Sequence, residues 1–456
     1  MSFSKDFAWG VATASYQIEG AVFEDGKGLS VWDMFCRKEG TIWREQNGDV
    51  ACDHYHRYKK DISLMKELGL KAYRLSISWP RVIPEGTGAV NEKGLDFYDK
   101  LIDELISAGV EPWVTLFHWD YPYELYCRGG WLNRDSSDWF AEYTKVIVNK
   151  LSDRVTHWIT LNEPQCFISL GHQTGIHAPG DTLGFTQVLQ AAHNTLLAHG
   201  KAVQTIRNFS KEKSQIGFAP VGKTAMPESD REKDIDAARK FMFSINEKNV
   251  FNNTWWMDPV FLGGYPEDGL NLFKEELPEI NNGDMETIHQ PLDFFGANIY
   301  NGTNIRSGRE NMPEAVLLEP GYPKTIQDAW PITPDCLYWG PKLFYERYNL
   351  PIVITENGYQ NHDVISLDGK VHDPQRIDYL QRYLIELKRG CKEGIPVEGY
   401  FQWTFYDNFE WAYGFKIRVG MVYTDYPTQR RIPKDSAYWY RDVITSNGSV
   451  LDECKQ

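Results

Sequence analysis

Nowhere do these 456 residues offer the roughly 18–20 consecutive apolar side chains that a membrane-spanning helix requires, so no membrane span is expected. Positive charge is in deficit. Forty-eight Lys and Arg face 63 Asp and Glu, a net charge of −15, and an acidic surface repels phosphate backbones and anionic lipid. Neither nucleic acid nor membrane is therefore expected as a partner. Cysteine is scarce and scattered: Cys36, Cys52, Cys127, Cys166, Cys336, Cys391 and Cys454 form no Cys-x-x-Cys pair, which suits reduced thiols rather than a disulfide framework. The first residues lack a basic stretch followed by an apolar run, so a cytoplasmic protein is expected, and the Asn-x-Ser/Thr triplets at Asn208, Asn252, Asn301 and Asn447 read as chance. No Pro- or Ser-rich linker, low-complexity tract or short repeat marks a boundary, so a single domain over 1–456 is expected. Disorder is excluded by a 42% apolar and 24% charged composition. What is abundant is aromatic: 14% of the chain, with 16 Trp, 25 Tyr and 23 Phe. Such rings fill large cores and also stack on the C–H faces of sugars, and composition alone leaves both readings open.

A strand-then-helix alternation runs along the chain. Short β-branched and aromatic runs occur at Phe7–Ala12, Ala72–Ile77, Pro112–Phe117, His157–Leu161, Gln215–Pro220, Phe294–Ile299, Ile352–Thr355 and Val397–Trp403. Their nearly continuous apolarity fits parallel strands covered on both sides. Helical spacing lies between them. Tyr58, Ile62, Met65 and Leu68 precede Gly69; Leu95, Tyr98, Ile102 and Leu105 precede Gly109; Ile377, Leu380, Leu384 and Leu387 precede Gly390, each glycine reading as a helix stop. Eight such units predict an α/β fold, a (β/α)8 barrel. Barrels typically take about 250 residues, so roughly 200 more belong to long loops following the strands. A doubly wound sheet is the alternative, but no Gly-x-Gly-x-x-Gly follows any strand.

Residues at the C-terminal tips of barrel strands converge on one pocket. Here the tips carry Gln17 and Glu19, Arg74, His118 and Trp119, Asn162 and Glu163, Asn298 and Tyr300, Glu356 and Asn357, and Trp403. Two carboxylates stand in turn-ending signatures, Thr160-Leu161-Asn162-Glu163-Pro164 and Ile354-Thr355-Glu356-Asn357-Gly358. A lone Glu at a strand end is commonly a loop-anchoring ion pair. A pair ringed by His, Arg, Asn, Gln and Trp is what glycoside hydrolysis needs: one acid to protonate the departing oxygen, one anion to stabilise or attack the sugar carbon.

With these tips in view the chain resembles glycoside hydrolase family 1 over nearly its whole length. The likeness rests on Phe7–Gly20, on Tyr73-Arg74-Leu75-Ser76-Ile77-Ser78-Trp79-Pro80-Arg81, and on Thr115-Leu116-Phe117-His118-Trp119. The two glutamate signatures and Asp407-Asn408-Phe409-Glu410-Trp411 complete it. The resemblance implies a retaining exo-β-glucosidase without metal or cofactor, acting on terminal β-D-glucosyl residues of β-glucosides and short cello-oligosaccharides, with β-galactosides and β-fucosides in range. It implies Glu163 as general acid/base and Glu356 as the nucleophile that forms a glycosyl-enzyme intermediate. Arg74 and Asn298 would support the nucleophile, and Tyr300, on the substrate side, would help keep it ionised. Gln17, His118, Asn162, Glu410 and Trp411 would hold the terminal sugar's hydroxyls, Asn162 the 2-OH, with Trp403 as the stacking floor. The carboxyls would lie roughly 5–5.5 Å apart, the retaining spacing. Gln165 falls where the family often has an aromatic residue at the leaving-group entrance. His172 and Val419 replace common aromatics as well.

Rival readings are definite. A 6-phospho-β-glycosidase on the same barrel is the nearest alternative, although Glu410-Trp411 favours a neutral sugar. A catalytically silent sugar-binding module is another. Gly217–Thr224 matches the phosphate-loop pattern G-x-x-x-x-G-K-[ST], but Pro220 removes an amide and Pro227 follows closely. His54-Tyr55-His56 lacks further ligands at metal spacing. His177-Ala178-Pro179-Gly180 reads as loop architecture near the site, and Trp255-Trp256-Met257-Asp258-Pro259 as either core or pocket rim. A homo-oligomer is left open.

Overall fold

Eight parallel strands close on themselves in the computed structural model, which describes residues 3–326 and 330–452. Met1, Ser2 and Cys454 lie outside the described residues. In chain order the strands are β1 (Ala8–Ala12), β2 (Ala72–Ser76), β3 (Glu111–Phe117), β4 (His157–Asn162), β5 (Gln215–Ala219), β6 (Phe294–Asn298), β7 (Ile352–Asn357) and β8 (Val397–Trp403). Each pairs with its sequence neighbours, and β1 closes the ring by pairing with β8 from Ala8↔Gly399 to Ala12↔Trp403. All eight expected strands are thus present, and the barrel holds.

Helices cover the outside, among them His54–Glu67, Glu92–Ala108, Ser136–Leu151, Phe185–Phe209, Cys336–Tyr348, Pro374–Lys392 and Asp435–Thr445. Each buries an apolar stripe against its neighbours, and such packing supplies most of a helix's stability in a protein. Gly109 ends the second of these in the left-handed conformation, φ +77°, as its place in the sequence predicts. The stop expected at Gly390 is corrected. Gly390 is buried within Pro374–Lys392, close to Ile395, and the left-handed turn falls at Gly394, φ +92°.

Inside the barrel the rings of Trp113 (β3), Phe294 (β6) and Phe401 (β8) meet at centroid distances of 5.4 and 5.0 Å. Residues from strands spaced around the ring touch only across its interior, so this cluster plugs the lower barrel and leaves the upper end for a pocket. Much of the extra chain sits in the loops after β5 and β6, where Thr224–Pro227, Gly302–Ser307 and Pro313–Ala315 form a small second sheet.

Several rival readings end here. Gly217–Ala219 completes β5 and Thr224 starts another strand instead of a helix, so no phosphate loop forms. His54 bonds Asp61 and Tyr406, whereas His56 bonds Asp53 and Glu24. Trp255 and Trp256 are fully buried in the helix Thr254–Phe261 and belong to the core. The six described cysteines are unpaired. Among the described residues, no helix is long and apolar enough to cross a membrane.

Candidate active site

The strands do not pair evenly at their upper ends. Register slips fall between Ile159 and Asn162 in β4 and between Ile354 and Glu356 in β7, at the two tips that carry the glutamates. Such irregularities re-aim side chains and recur beside active sites. Glu163 itself takes a left-handed φ of +47°, as do Trp119 at +80° and Trp411 at +48°. Non-glycine residues hold that conformation only where surrounding structure imposes it, typically where a side chain must point somewhere particular.

A cavity of about 660 Å³ opens at this end. His118, Glu163, Asn298, Tyr300 and Glu356 line it, together with Trp403, Glu410 and Trp411. Gln17, Arg74 and Asn162 stand behind the wall, each hydrogen-bonded to a residue that lines it.

The two central carboxyls have unlike partners. Glu356 receives Arg74 Nη1 on Oε1 at 2.7 Å and the Tyr300 hydroxyl on Oε2 at 2.7 Å. Glu163 receives the neutral Asn298 amide at 2.9 Å and the Cys166 thiol. Asn298 also lowers the proton affinity of Glu356, so one side chain bears on both carboxyls. Burial, then repulsion from Glu356, pushes Glu163 up to about 8. Burial raises Glu356 as well, but the Arg74 cation and the Tyr300 hydrogen bond pull against it. The pair shares its protons, and the first to leave comes from the member beside the cation. Burial, with Glu356 second, lifts Glu410 to about 8.

Asn162 is fixed from several sides. Its Oδ1 accepts from Arg74 Nη2 at 2.6 Å and from Asn298 Nδ2 at 3.0 Å, and its Nδ2 lies 3.1 Å from His118 Nε2. With both acceptor positions taken, Nδ2 is the donor, so His118 Nε2 accepts and its proton sits on Nδ1. Burial and then the Arg74 charge hold the His118 pKa well below the usual range, which keeps that neutral form. The His118 Nδ1–H and the Gln17 Oε1 are buried without a protein partner. Buried polar atoms are rarely left unpaired, and these suit sugar hydroxyls. The His118 ring lies near-parallel to Trp403 and Trp411, with centroids 5.7 and 6.0 Å away, in one aromatic wall.

Among the other lining residues, His177 belongs to the loop expected near the site and Lys223 to the phosphate-loop match, whereas Cys166, Ile176, Phe251 and Trp330 carry no local signal in the sequence. Cys166 touches Glu163; Ile176 and His177 come from the loop after β4; Lys223, Phe251 and Trp330 form an outer rim. The three positions singled out as departures sit elsewhere. Gln165 is fully buried and bonds the Val221 backbone through both amide atoms at 3.2 Å, His172 pairs with Asp181 at 3.0 Å, and Val419 is buried off the pocket.

Two buried carboxyls of unequal surroundings, at the upper end of a closed (β/α)8 barrel whose wall is aromatic, define a glycoside hydrolase. The family model for glycosyl hydrolase family 1 matches residues 1–449, and the chain belongs to that family. It is 46% identical to beta-glucosidase A of Thermotoga maritima over 447 residues, 98% of each chain. It is 38% identical to the aryl-phospho-beta-D-glucosidase BglC of Bacillus subtilis over 480 residues, 99% of this chain and 98% of that one. The solved beta-glucosidase of Thermotoga maritima in complex with glucoimidazole superposes with a TM-score of 0.89 at 46% identity, covering 98% of this chain and 99% of that one.

Proposed function

We propose that the protein is a retaining exo-β-glucosidase in which Glu356 is the nucleophile and Glu163 the general acid/base. The observation that carries this is the inequality of the pair: Glu356 faces Arg74 and Tyr300, whereas Glu163 faces only neutral donors. In the first step a Glu356 carboxylate oxygen attacks the anomeric carbon while Glu163 gives its proton to the glycosidic oxygen. The C1–O bond breaks, the alcohol leaves and a glycosyl ester remains. Ionised Glu163 then takes a proton from water as that water attacks C1, and Glu356 is released. Two inversions give net retention.

Substrate binding follows from what the wall leaves unpaired. One Asn162 amide hydrogen remains after His118 is satisfied and suits the 2-OH, a hydrogen bond that strengthens as the transition state forms. His118 Nδ1–H donates to a neighbouring hydroxyl, Gln17 Oε1 accepts from one, and Glu410 accepts beside it. Trp403 offers the apolar floor. The 6-phospho alternative is disfavoured because Glu410 adds a third carboxyl to this end, while Arg74, the cation beside the carboxyl pair, is already engaged by Glu356 and Asn162.

The test is chemical. Glu356→Gly with an activated aryl β-glucoside should lose several orders of magnitude in kcat and recover with azide, yielding the α-glucosyl azide. Glu163→Ala should yield the β-azide. Equal turnover of nitrophenyl glucoside and its 6-phosphate, or an inverted product from the parent enzyme, would sink the reading.

A further inference from the structure

Lys223, the lysine of the discarded phosphate-loop match, has a position that the hydrolysis of a glucose unit does not use. It is the one Lys or Arg among the described residues lining the cavity, where the carboxyl groups of Glu163, Glu247, Glu356 and Glu410 also stand. Among the described residues, no carboxylate comes within 4.0 Å of its ammonium. Nζ donates to the Phe251 carbonyl at 3.0 Å and lies 5.8 Å from the centroid of that ring.

Its backbone is built in. Buried Asn253 accepts from Lys223 N–H at 3.2 Å and donates to the Lys223 carbonyl at 2.8 Å. Gly222 N–H donates to the Asn298 carbonyl at 2.8 Å, so the segment is tied to the residue whose side chain bears on both catalytic carboxyls. Gln165, two residues from Glu163, clasps Val221 at both amide atoms. The lysine is therefore held in register with the leaving-group side of the reaction centre. Ile176, Phe241, Phe251 and Trp330 give that outer space an apolar wall. A pocket of about 660 Å³ takes a ligand well beyond one hexose.

We propose that Lys223 selects the leaving group, favouring β-glucosides whose aglycone is an apolar, ring-sized body ending in a carboxylate. This rests on the glucosidase reading above and names its substrate class. An ammonium flanked by apolar side chains gains from an anionic partner, and a charge-assisted hydrogen bond there supplies both attraction and direction. Burial lowers the Lys223 pKa and the Glu247 charge opposes that shift, so an incoming carboxylate competes with Glu247 for the same ammonium.

The experiment compares kcat/KM for 4-carboxyphenyl β-D-glucoside with that for its neutral methyl ester, in the parent enzyme and in K223M, K223Q and K223R. The carboxylate-to-ester ratio should fall roughly five- to tenfold in K223M and K223Q, and survive in K223R. Added salt should lower it in the parent enzyme and leave it flat in K223M. An unchanged ratio in both neutral variants overturns the proposal while the glucosidase reading stands. Failure of the parent enzyme to hydrolyse either glucoside overturns both.

Discussion

At the scale of single residues, the chemistry is a matter of which carboxyl keeps its proton. Glu163, pushed to about 8 by burial and by Glu356, is protonated in the free enzyme at neutral pH, and an acid must be protonated to act. We therefore expect kcat/KM for an unactivated aryl glucoside to fall as pH rises through about 8, and that limb to vanish in Glu163→Ala with a dinitrophenyl leaving group. Glu410 bears on stability. Its folded pKa is about 8 against an ordinary value of 4.5, so the native state holds a proton that the unfolded chain gives up between those limits. Its contribution is fully present below pH 4.5 and is lost as pH rises towards 8. Glu410→Gln, which cannot ionise, should thus unfold at higher temperature than the parent at pH 8, by about 1–3 kcal/mol in stability, with the gap closing at pH 5 and with glucosidase activity lost.

At the scale of elements, the loop that carries Glu410 and Trp411 is fastened from below. Lys434, fully buried, bonds Asp363 at 2.6 Å and Asp407 at 2.7 Å, and Arg418 takes the other Asp407 oxygen at 2.7 Å. Arg376 joins Asp363 to Asp373 within the same network. Removing one member of a buried ion network leaves an uncompensated charge, which costs about 3–5 kcal/mol. Lys434→Met should lower the melting temperature accordingly and raise KM for a glucoside more than it lowers kcat, because the sugar-side loop loses its anchor. Close approach matters here too. A Cβ on Gly358, just past Glu356-Asn357, would stand 1.9 Å from the Trp403 carbonyl, so only glycine lets the β7 and β8 tips lie side by side.

At the scale of the whole molecule, closing the barrel joins the two ends of the chain. The Trp9 indole on β1 donates to Asn447 Oδ1 at 2.8 Å and packs against Phe3 and Phe7 at centroid distances of 4.8 and 4.6 Å. We propose that the chain unfolds as one unit for this reason. Trp9→Ala should cost about 3–5 kcal/mol, move a single calorimetric endotherm downward, and expose both ends to limited proteolysis together. An endotherm that splits in two would argue for separate domains.

What the sequence determined alone was the parts: eight apolar runs, the helical stripes between them, and the tip residues that the family motifs mark. Those are legible because strand and helix periods and turn signatures lie within a few contiguous residues. The misplaced helix stop at Gly390 shows the limit, since packing against Ile395 let the helix run on to Lys392. Tertiary structure alone decided the rest. Arg74 reaches Glu356 across 282 positions, the register slips in β4 and β7 turn the glutamates inward, and loops far apart in the chain set the rim around Lys223. A carboxyl's proton affinity depends on what surrounds it in space, and no local pattern of residues states which distant groups will be brought there.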